Sequence, residues 1–567
     1  MSTTTIKEKT HRPRVVAGLT PYTGTFDKEQ ITHLLKRTMF GAKKSDVDFF
    51  TGKTLTETIN TLLTEPPVLT DADLPLRNYA ASTQVGVLDD IMPIGTTWTH
   101  AIYNNNYNGQ RVTSLKSWWG GKMIHQPRSI FEKMVLFWHN HFATEMDQST
   151  SHLSYKHLMT LRQYALGNFK AFTKAITLDP NMLRYLNGYL NTKSAPDENY
   201  GRELQELFTV GKGPNSGYTE ADVKAAARVL TGWKIREVEN PVGSGNYEWA
   251  SYMTTANHDT TAKTFSAFYG NTVITNTANT EAGALKELDD MLDMIFATNE
   301  VAMYVCRRIY RFFVYYEIDA TIETEVITPM ADIFRQANYD IKPVLKALFS
   351  SEHFFEVGIK ACLIKSPLEF AIGLCREFNM DIPTTITTVA TDIPILYNAW
   401  YNITIGDRLN GPSTQAQNLG DPPNVSGWSA YYQVPDFHEA WINTDTFPKR
   451  LRYSDTLMSS TGYNIGGGKK LIVDFVKFTD SFGADASDPN MLISSALEVL
   501  YRVPPTNAML AYLKTNILLD GQASDHYWSD AWDAYKASPT TANFNIVNIR
   551  LQKFYTFIVR NPEYQLA

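Results

Sequence analysis

Asp27-Lys-Glu-Gln-Ile-Thr-His-Leu-Leu-Lys-Arg-Thr-Met-Phe-Gly41 is the stretch from which the fold can be read. Asp27 and Gln30 have the spacing of a helix-capping box. Ile31, Leu34, Leu35, Thr38 and Met39 then recur at the interval that paints one face of an α-helix, and Gly41 supplies the stop. The same grammar returns three times. Ser129 and Glu132 precede Met134, Phe137 and Trp138. Thr219 and Asp222 precede Val223, Ala226, Ala227 and Leu230, with Gly232 closing the run. Ser366 and Glu369 bracket Pro367, a residue suited to the first helical position. Four such starts predict a mainly α protein, a multi-helix globular body with irregular loops and at most a few short strands. Thr272–Thr275 and Leu471–Val476 are the strand candidates, and residues 238–266 read as turns with room for one hairpin.

A chain of 567 residues exceeds the size at which one core stops growing, so two or more packed subdomains are expected. Weak breaks divide it into an N-terminal extension (1–25), helical regions at 26–285 and 286–450, and a C-terminal helical region at 451–567. One continuous helical body with long loops fits the same breaks. Aromatic residues reach 12%, which points to wide aromatic cores ahead of an exposed stacking surface.

Charge and cysteine content exclude several classes. The net charge is −7 and no long basic run occurs, so nucleic acid is not an expected partner. Arg307, Arg308 and Arg311 read as the solvated face of an aromatic helix. Three cysteines without a CxxC pair rule out a disulfide framework and the usual thiolate zinc sites. No run of eighteen apolar residues predicts a membrane span, and the opening lacks an apolar signal segment, which makes the cytoplasm the default compartment. There is no GxxxxGK[ST], GxGxxG before a helix, GxSxG or HExxH. No nucleotide cofactor is expected, and Gly466-Gly-Gly-Lys-Lys470 reads as a flexible turn.

The polar residues that stand out are few. His139 and His141 are metal-ligand suspects, since imidazole suits zinc, iron and copper. If their helix runs through residue 141, however, the rings diverge by about 200° and cannot share an ion. The competing reading is a hydrogen-bonded histidine in an aromatic core. Glu203 sits at the edge of a stripe formed by Tyr200, Leu204, Leu207 and Phe208, where a carboxylate must be paired, raised in pKa or metal-bound. An ion pair with Arg162, Arg184 or Arg228 is the plain alternative, and Arg202 is placed to pair with Glu206. His258-Asp259, followed by Lys263, lies in a polar loop that suits a general base or metal ligands, or simply a turn. Pro422-Pro-Asn-Val-Ser-Gly-Trp-Ser-Ala-Tyr-Tyr432 is a rigid aromatic loop in which Trp428, Tyr431 and Tyr432 are candidate substrate contacts, or a packed structural turn. Thr444 or Asp445 is expected to cap the helix that follows Trp441.

Several of these segments carry a resemblance. They are His33 to Gly41, Phe137-Trp-His-Asn-His-Phe-Ala-Thr144, Asp179-Pro-Asn-Met-Leu-Arg-Tyr-Leu-Asn-Gly188 and Glu198-Asn-Tyr-Gly-Arg-Glu-Leu-Gln-Glu-Leu-Phe-Thr-Val-Gly211. Tyr218 to Trp233, His258-Asp259 with Lys263-Thr-Phe265, and Pro422 to Trp428 complete the set. In this order they resemble the bacterial family called domain of unknown function 1800, over roughly residues 26–450. The His11-Arg-Pro-Arg-Val opening and Ser426 to Gln433 are similar to its Bacteroidetes-type branch. The resemblance implies export for many relatives and no particular chemistry. Two functions remain in play. One is a metal-assisted hydrolase holding a divalent ion with His139, His141 and Glu203, with Glu203, His258 and Asp259 as catalytic groups. The other is a non-enzymatic scaffold or binding protein in which the same residues form a buried network.

Overall fold

The stripe at residues 31–39 is buried: Ile31, Leu34, Leu35 and Met39 lie fully inside, on a helix spanning Lys28–Thr38. The computed structural model describes residues 17–80, 92–275 and 278–567. The His11–Val15 segment of the resemblance and most of the proposed extension fall outside them. The helix start is simpler than a capping box, with the Asp27 carboxylate accepting from the Glu29 amide at 2.9 Å. Of the other three expected boxes, Thr219/Asp222 and Ser366/Glu369 form, the second with Pro367 at the first helical position. Ser129/Glu132 does not. The Ser129 hydroxyl donates to the Leu62 and Thr64 carbonyls, and Glu132 pairs with Arg162 at 2.8 Å. Tertiary acceptors outcompete the local cap.

Helices dominate the chain, and the described strands form three two-stranded antiparallel sheets. The hairpin expected within 238–266 starts earlier, pairing Trp233–Glu239 with Tyr247–Met253. Val273–Ile274 pairs with Lys263–Thr264. The strand expected at 471–476 ends at Leu471, because Asp474 caps a new helix, Phe475–Asp480, by accepting from the Lys477 amide at 2.9 Å. The glycine run 466–468 is the tip of a small hairpin whose glycines all have positive φ. At the helix Thr446–Met458, Asp445 occupies the cap position, but the Asn443 side chain accepts from the Thr446 amide at 2.9 Å.

One connected hydrophobic core runs from Ile31 to Tyr564 and draws residues from both sides of positions 285 and 450. Trp98, Trp119, Trp138, Trp428 and Trp528 are among its largest fully buried side chains, so aromatic content is spent mainly on the interior. Around Trp138 the rings of Phe142, Phe169 and Phe172 stack or meet edge-on with centroids 5.4–6.2 Å apart. Arg307, Arg308 and Arg311 are partly buried instead of solvated. Arg307 pairs with Glu300 and Glu323, and Arg308 donates to the Tyr304 hydroxyl at 3.1 Å. No helix among the described residues is long and apolar enough to cross a membrane.

Candidate functional site

The helix Phe131–His141 runs through both histidines, so their rings leave it on opposite sides, as α-helical rotation requires. His141 turns toward Phe142, Phe169 and Phe208, and its Nε2 sits 3.0 Å from the Phe208 carbonyl. His139 turns toward Trp119, Trp428 and His157, with ring centroids at 5.2, 6.0 and 6.4 Å. Both His139 nitrogens are buried without a hydrogen-bond partner. Burial, helped by His157 and Lys116, pushes its pKa down to about 3. Burial, with the Arg308 charge, holds His141 well below the ordinary imidazole range. Both rings are neutral at physiological pH.

Asn140, between them, anchors the Pro422–Trp428 loop. Its Oδ1 accepts from the Trp428 amide at 2.8 Å. Gly427 passes over Asn140 with φ +94°, so close that a Cβ would stand 2.6 Å from the Asn140 carbonyl oxygen. Only glycine tolerates both the backbone angle and the approach. Trp428, expected as a substrate contact, is 1% exposed and packs inside the core. Tyr431 and Tyr432 are partly buried. Tyr431 packs on Phe312 and Trp441, and the Tyr432 hydroxyl accepts from Asn424 at 2.8 Å. The loop's aromatics therefore hold it down rather than project from it.

At the loop's near end, the Lys116 ammonium pairs with Asp421 and, at 2.8 Å, with Asp147. Asp421 also accepts from the Asp147 amide at 2.8 Å and from Asn418 at 3.0 Å. Burial, reinforced by the Asp147 charge and opposed by Lys116, pushes the Asp421 carboxyl up to about 6. This trio was not anticipated from sequence. Its members lie up to 305 positions apart, and the only local signal is an aspartate placed directly before Pro422-Pro423.

Glu203 ends the α-helix Asn199–Glu203, after which the backbone widens into a π-helix, Leu204–Thr209. None of Arg162, Arg184 and Arg228 reaches it; Arg162 is taken by Glu132 and Arg228 by Asp259. Arg202 pairs with Glu198 and Glu220, not with Glu206, which meets Lys212. One Glu203 oxygen is buried without a partner. Partial burial and then the Glu206 charge raise its pKa.

His258 is buried beside Gly232, with Nδ1 2.8 Å from the Thr231 carbonyl and Nε2 3.0 Å from Glu287. Glu287, which sequence reading passed over, also takes the buried Lys263 ammonium at 2.7 and 2.8 Å. Asp259 pairs with Arg228 at 2.7 Å and accepts from the Thr261 amide at 2.8 Å. Partial burial alone would raise its carboxyl, but Arg228 and Thr261 hold it down at about 2. A second unanticipated pair, His157 and Asp179, is fully buried at 3.0 Å, and the other His157 nitrogen lies 3.1 Å from the Phe142 carbonyl.

These residues do not fit a shared ion. Each of His141, His258 and Asp259 is engaged by its own neighbours, and the two HxH rings face apart. Among the described residues no group of three or more His, Cys, Asp or Glu side chains is placed to hold a metal. What the segments do form is a set of buried polar clusters that tie helices and loops to one another.

Fold and clusters together define a mainly α-helical protein held by an internal polar framework. Residues 33–566 match the family model described as protein of unknown function (DUF1800), and the chain belongs to that family. The match extends past residue 450 almost to the end, further than the segments quoted from sequence. No curated protein and no solved structure matches the chain.

Proposed function

We propose that this chain is a non-enzymatic scaffold or binding protein, and that its distinctive His, Asp and Glu residues set how its helices pack. The carrying observation is that His258, which a hydrolase would need free, has Nδ1 on the Thr231 carbonyl and Nε2 on Glu287, with Lys263 completing the cluster. Low local dielectric makes such a satisfied network stiff and makes any broken member costly. One concavity open to a partner segment is a groove of about 480 Å³ lined by Leu497, Tyr501, Val503, Pro504, Leu510 and Lys514. Concave apolar surface of this kind is where proteins receive ligands and partner segments.

A second reading, a metal-assisted hydrolase, is favoured by one feature: His139 and Glu203 retain buried polar atoms without partners. One measurement separates the two. Metal content is determined by plasma mass spectrometry on tag-free protein purified without chelator, beside a His139→Ala/His141→Ala variant. Under the scaffold reading the parent carries no stoichiometric metal, even after zinc, manganese and iron are supplied. Near-stoichiometric metal in the parent, lost from a variant that still gives a native helical spectrum, would overturn it.

A further inference from the structure

The helix Lys44–Phe50, the segment that follows the helix Leu55–Leu62 and the turn before the helix Phe131–His141 wall a cavity of about 520 Å³. This lies within the roughly 300–1,000 Å³ range of small-molecule sites. Its charged lining is lopsided. Lys43, Arg128 and Arg376 meet two carboxylates, Asp46 and Glu65. Both Asp46 oxygens are taken, one by Arg128 Nε at 2.9 Å and the other by Arg376 Nη2 at 3.2 Å. Glu65 pairs with Lys342 at 2.6 Å. Two guanidiniums therefore share one carboxylate, and the Lys43 ammonium makes no ion pair or hydrogen bond among the described residues. Lys44 and Asp48, on the same helix as Asp46, balance each other. The positive excess is felt nearby: burial, then the Lys43 and Arg376 charges, push the His125 pKa down to about 4.

The rest of the lining supplies apolar surface and a stranded amide. Phe49 is 43% exposed, with the Arg128 guanidinium 4.0 Å from its ring centroid, and Pro66, Pro67 and Pro127 stand in the same wall. Gln126 is 6% exposed, and neither its Oε1 nor its Nε2 has a hydrogen-bond partner. The hydroxyls of Thr61, Thr64 and Ser129, by contrast, all donate to backbone carbonyls.

We propose that this cavity binds a small monocarboxylate with an apolar tail, its carboxylate on Lys43 and Arg128 and its tail against Phe49 and the prolines. Arg128 has Nη1 without a bond to the protein among the described residues, so it receives a ligand oxygen while Nε keeps Asp46. Charge-assisted bonds of this kind are the strong ones. A bound carboxylate supplies negative charge where cations outnumber it, and a buried amide without partners is rare enough to mark a wall that a bound group completes. The apolar wall separates such a ligand from inorganic anions, which would leave it in water. The site does not rest on the scaffold reading, since none of His139, Glu203 and His258 lines it.

Isothermal titration of the full chain with octanoate, 1-octanol, acetate and inorganic phosphate tests it. Octanoate should bind at one site with a dissociation constant below about 1 mM, and the other three at least about tenfold more weakly. Lys43→Met removes a side chain that holds nothing else. It should weaken octanoate binding about tenfold and leave the thermal unfolding midpoint near that of the parent. Phe49→Ser should weaken octanoate binding as well. Octanol binding as tightly as octanoate would reduce the cavity to an apolar hole, and acetate or phosphate doing so would reduce it to a charge site; either overturns the proposal. So would the absence of saturable octanoate binding, or an affinity unchanged in Lys43→Met.

Discussion

Glu287→Gln probes the buried cluster most directly. In the parent, the Glu287 carboxylate faces the Lys263 ammonium at 2.7 and 2.8 Å and His258 Nε2 at 3.0 Å, and all three side chains are at most 1% exposed. The amide is nearly isosteric but removes the negative charge, which leaves Lys263 buried with an uncompensated charge. Breaking one side of a buried pair typically costs about 3–5 kcal/mol, a large part of the roughly 5–15 kcal/mol that holds a domain together. Replacing both partners with apolar residues, as in Lys263→Met/Glu287→Leu, removes the stranded charge. The double variant should then lie closer to the parent than Glu287→Gln does, with roughly 1 kcal/mol still lost from the His258 bond. Urea unfolding followed by circular dichroism, read as midpoint multiplied by slope, measures each variant. If Glu287→Gln unfolds within about 1 kcal/mol of the parent, the cluster is not a structural member and the reasoning fails.

Acid should weaken the protein earlier than carboxylate protonation alone would. His33, His139 and His141 are buried with pKa values held below the ordinary 6.5, chiefly by burial. A histidine depressed in the folded state stabilises it above pH 6.5, and that contribution is lost as pH falls toward the folded value. Each such ring contributes a slope approaching about 1.4 kcal/mol per pH unit below 6. Urea midpoints measured from pH 7 to 5 should fall steadily, and His139→Gln should reduce the slope by nearly one proton; an unchanged slope would remove His139 from the account. Gly427→Ala should cost about 1–3 kcal/mol through its positive φ alone, and more through collision with Asn140. Its signature is a shifted Trp428 emission; a parent-like spectrum and midpoint would mean that the loop is not seated on Asn140.

Much of the helical framework was legible because it rests on local physics. Thr219 with Asp222 and Ser366 with Glu369 cap their helices from within four residues, and the distant partners Ser266 and Lys133 take only the oxygens that the caps leave over. Ser129 obeyed the same pattern and failed, because the Leu62 and Thr64 carbonyls, more than sixty positions away, offered its hydroxyl better acceptors. The divergence of His139 and His141 followed from helical rotation once the helix was seen to reach residue 141. Their surroundings did not, since Trp428 and Phe208 arrive from other parts of the chain. The same distance hid the partners of Lys116 and His258. Glu203 was singled out for lacking an in-helix cation, and its unpartnered oxygen agrees with that, yet the π-helix beginning one residue later leaves no mark in hydrophobic spacing.

That π-helix has a consequence for how this family tolerates change in length. A turn of π-helix holds about one residue more than an α-turn, so Leu204–Thr209 stores an extra residue without breaking the helix. The helix ends with this wide turn at Thr209, so deleting one residue there would tighten the turn to α geometry and shift the groups it presents. The Phe208 carbonyl would swing away from His141, and Tyr269 would lose its 2.8 Å bond to Gln205. The widened turn is thus a phase adjuster. It sets where the end of the helix presents the Phe208 carbonyl and the Gln205 amide, and relatives that lose a residue here should carry a compensating change in the segment that packs against His141.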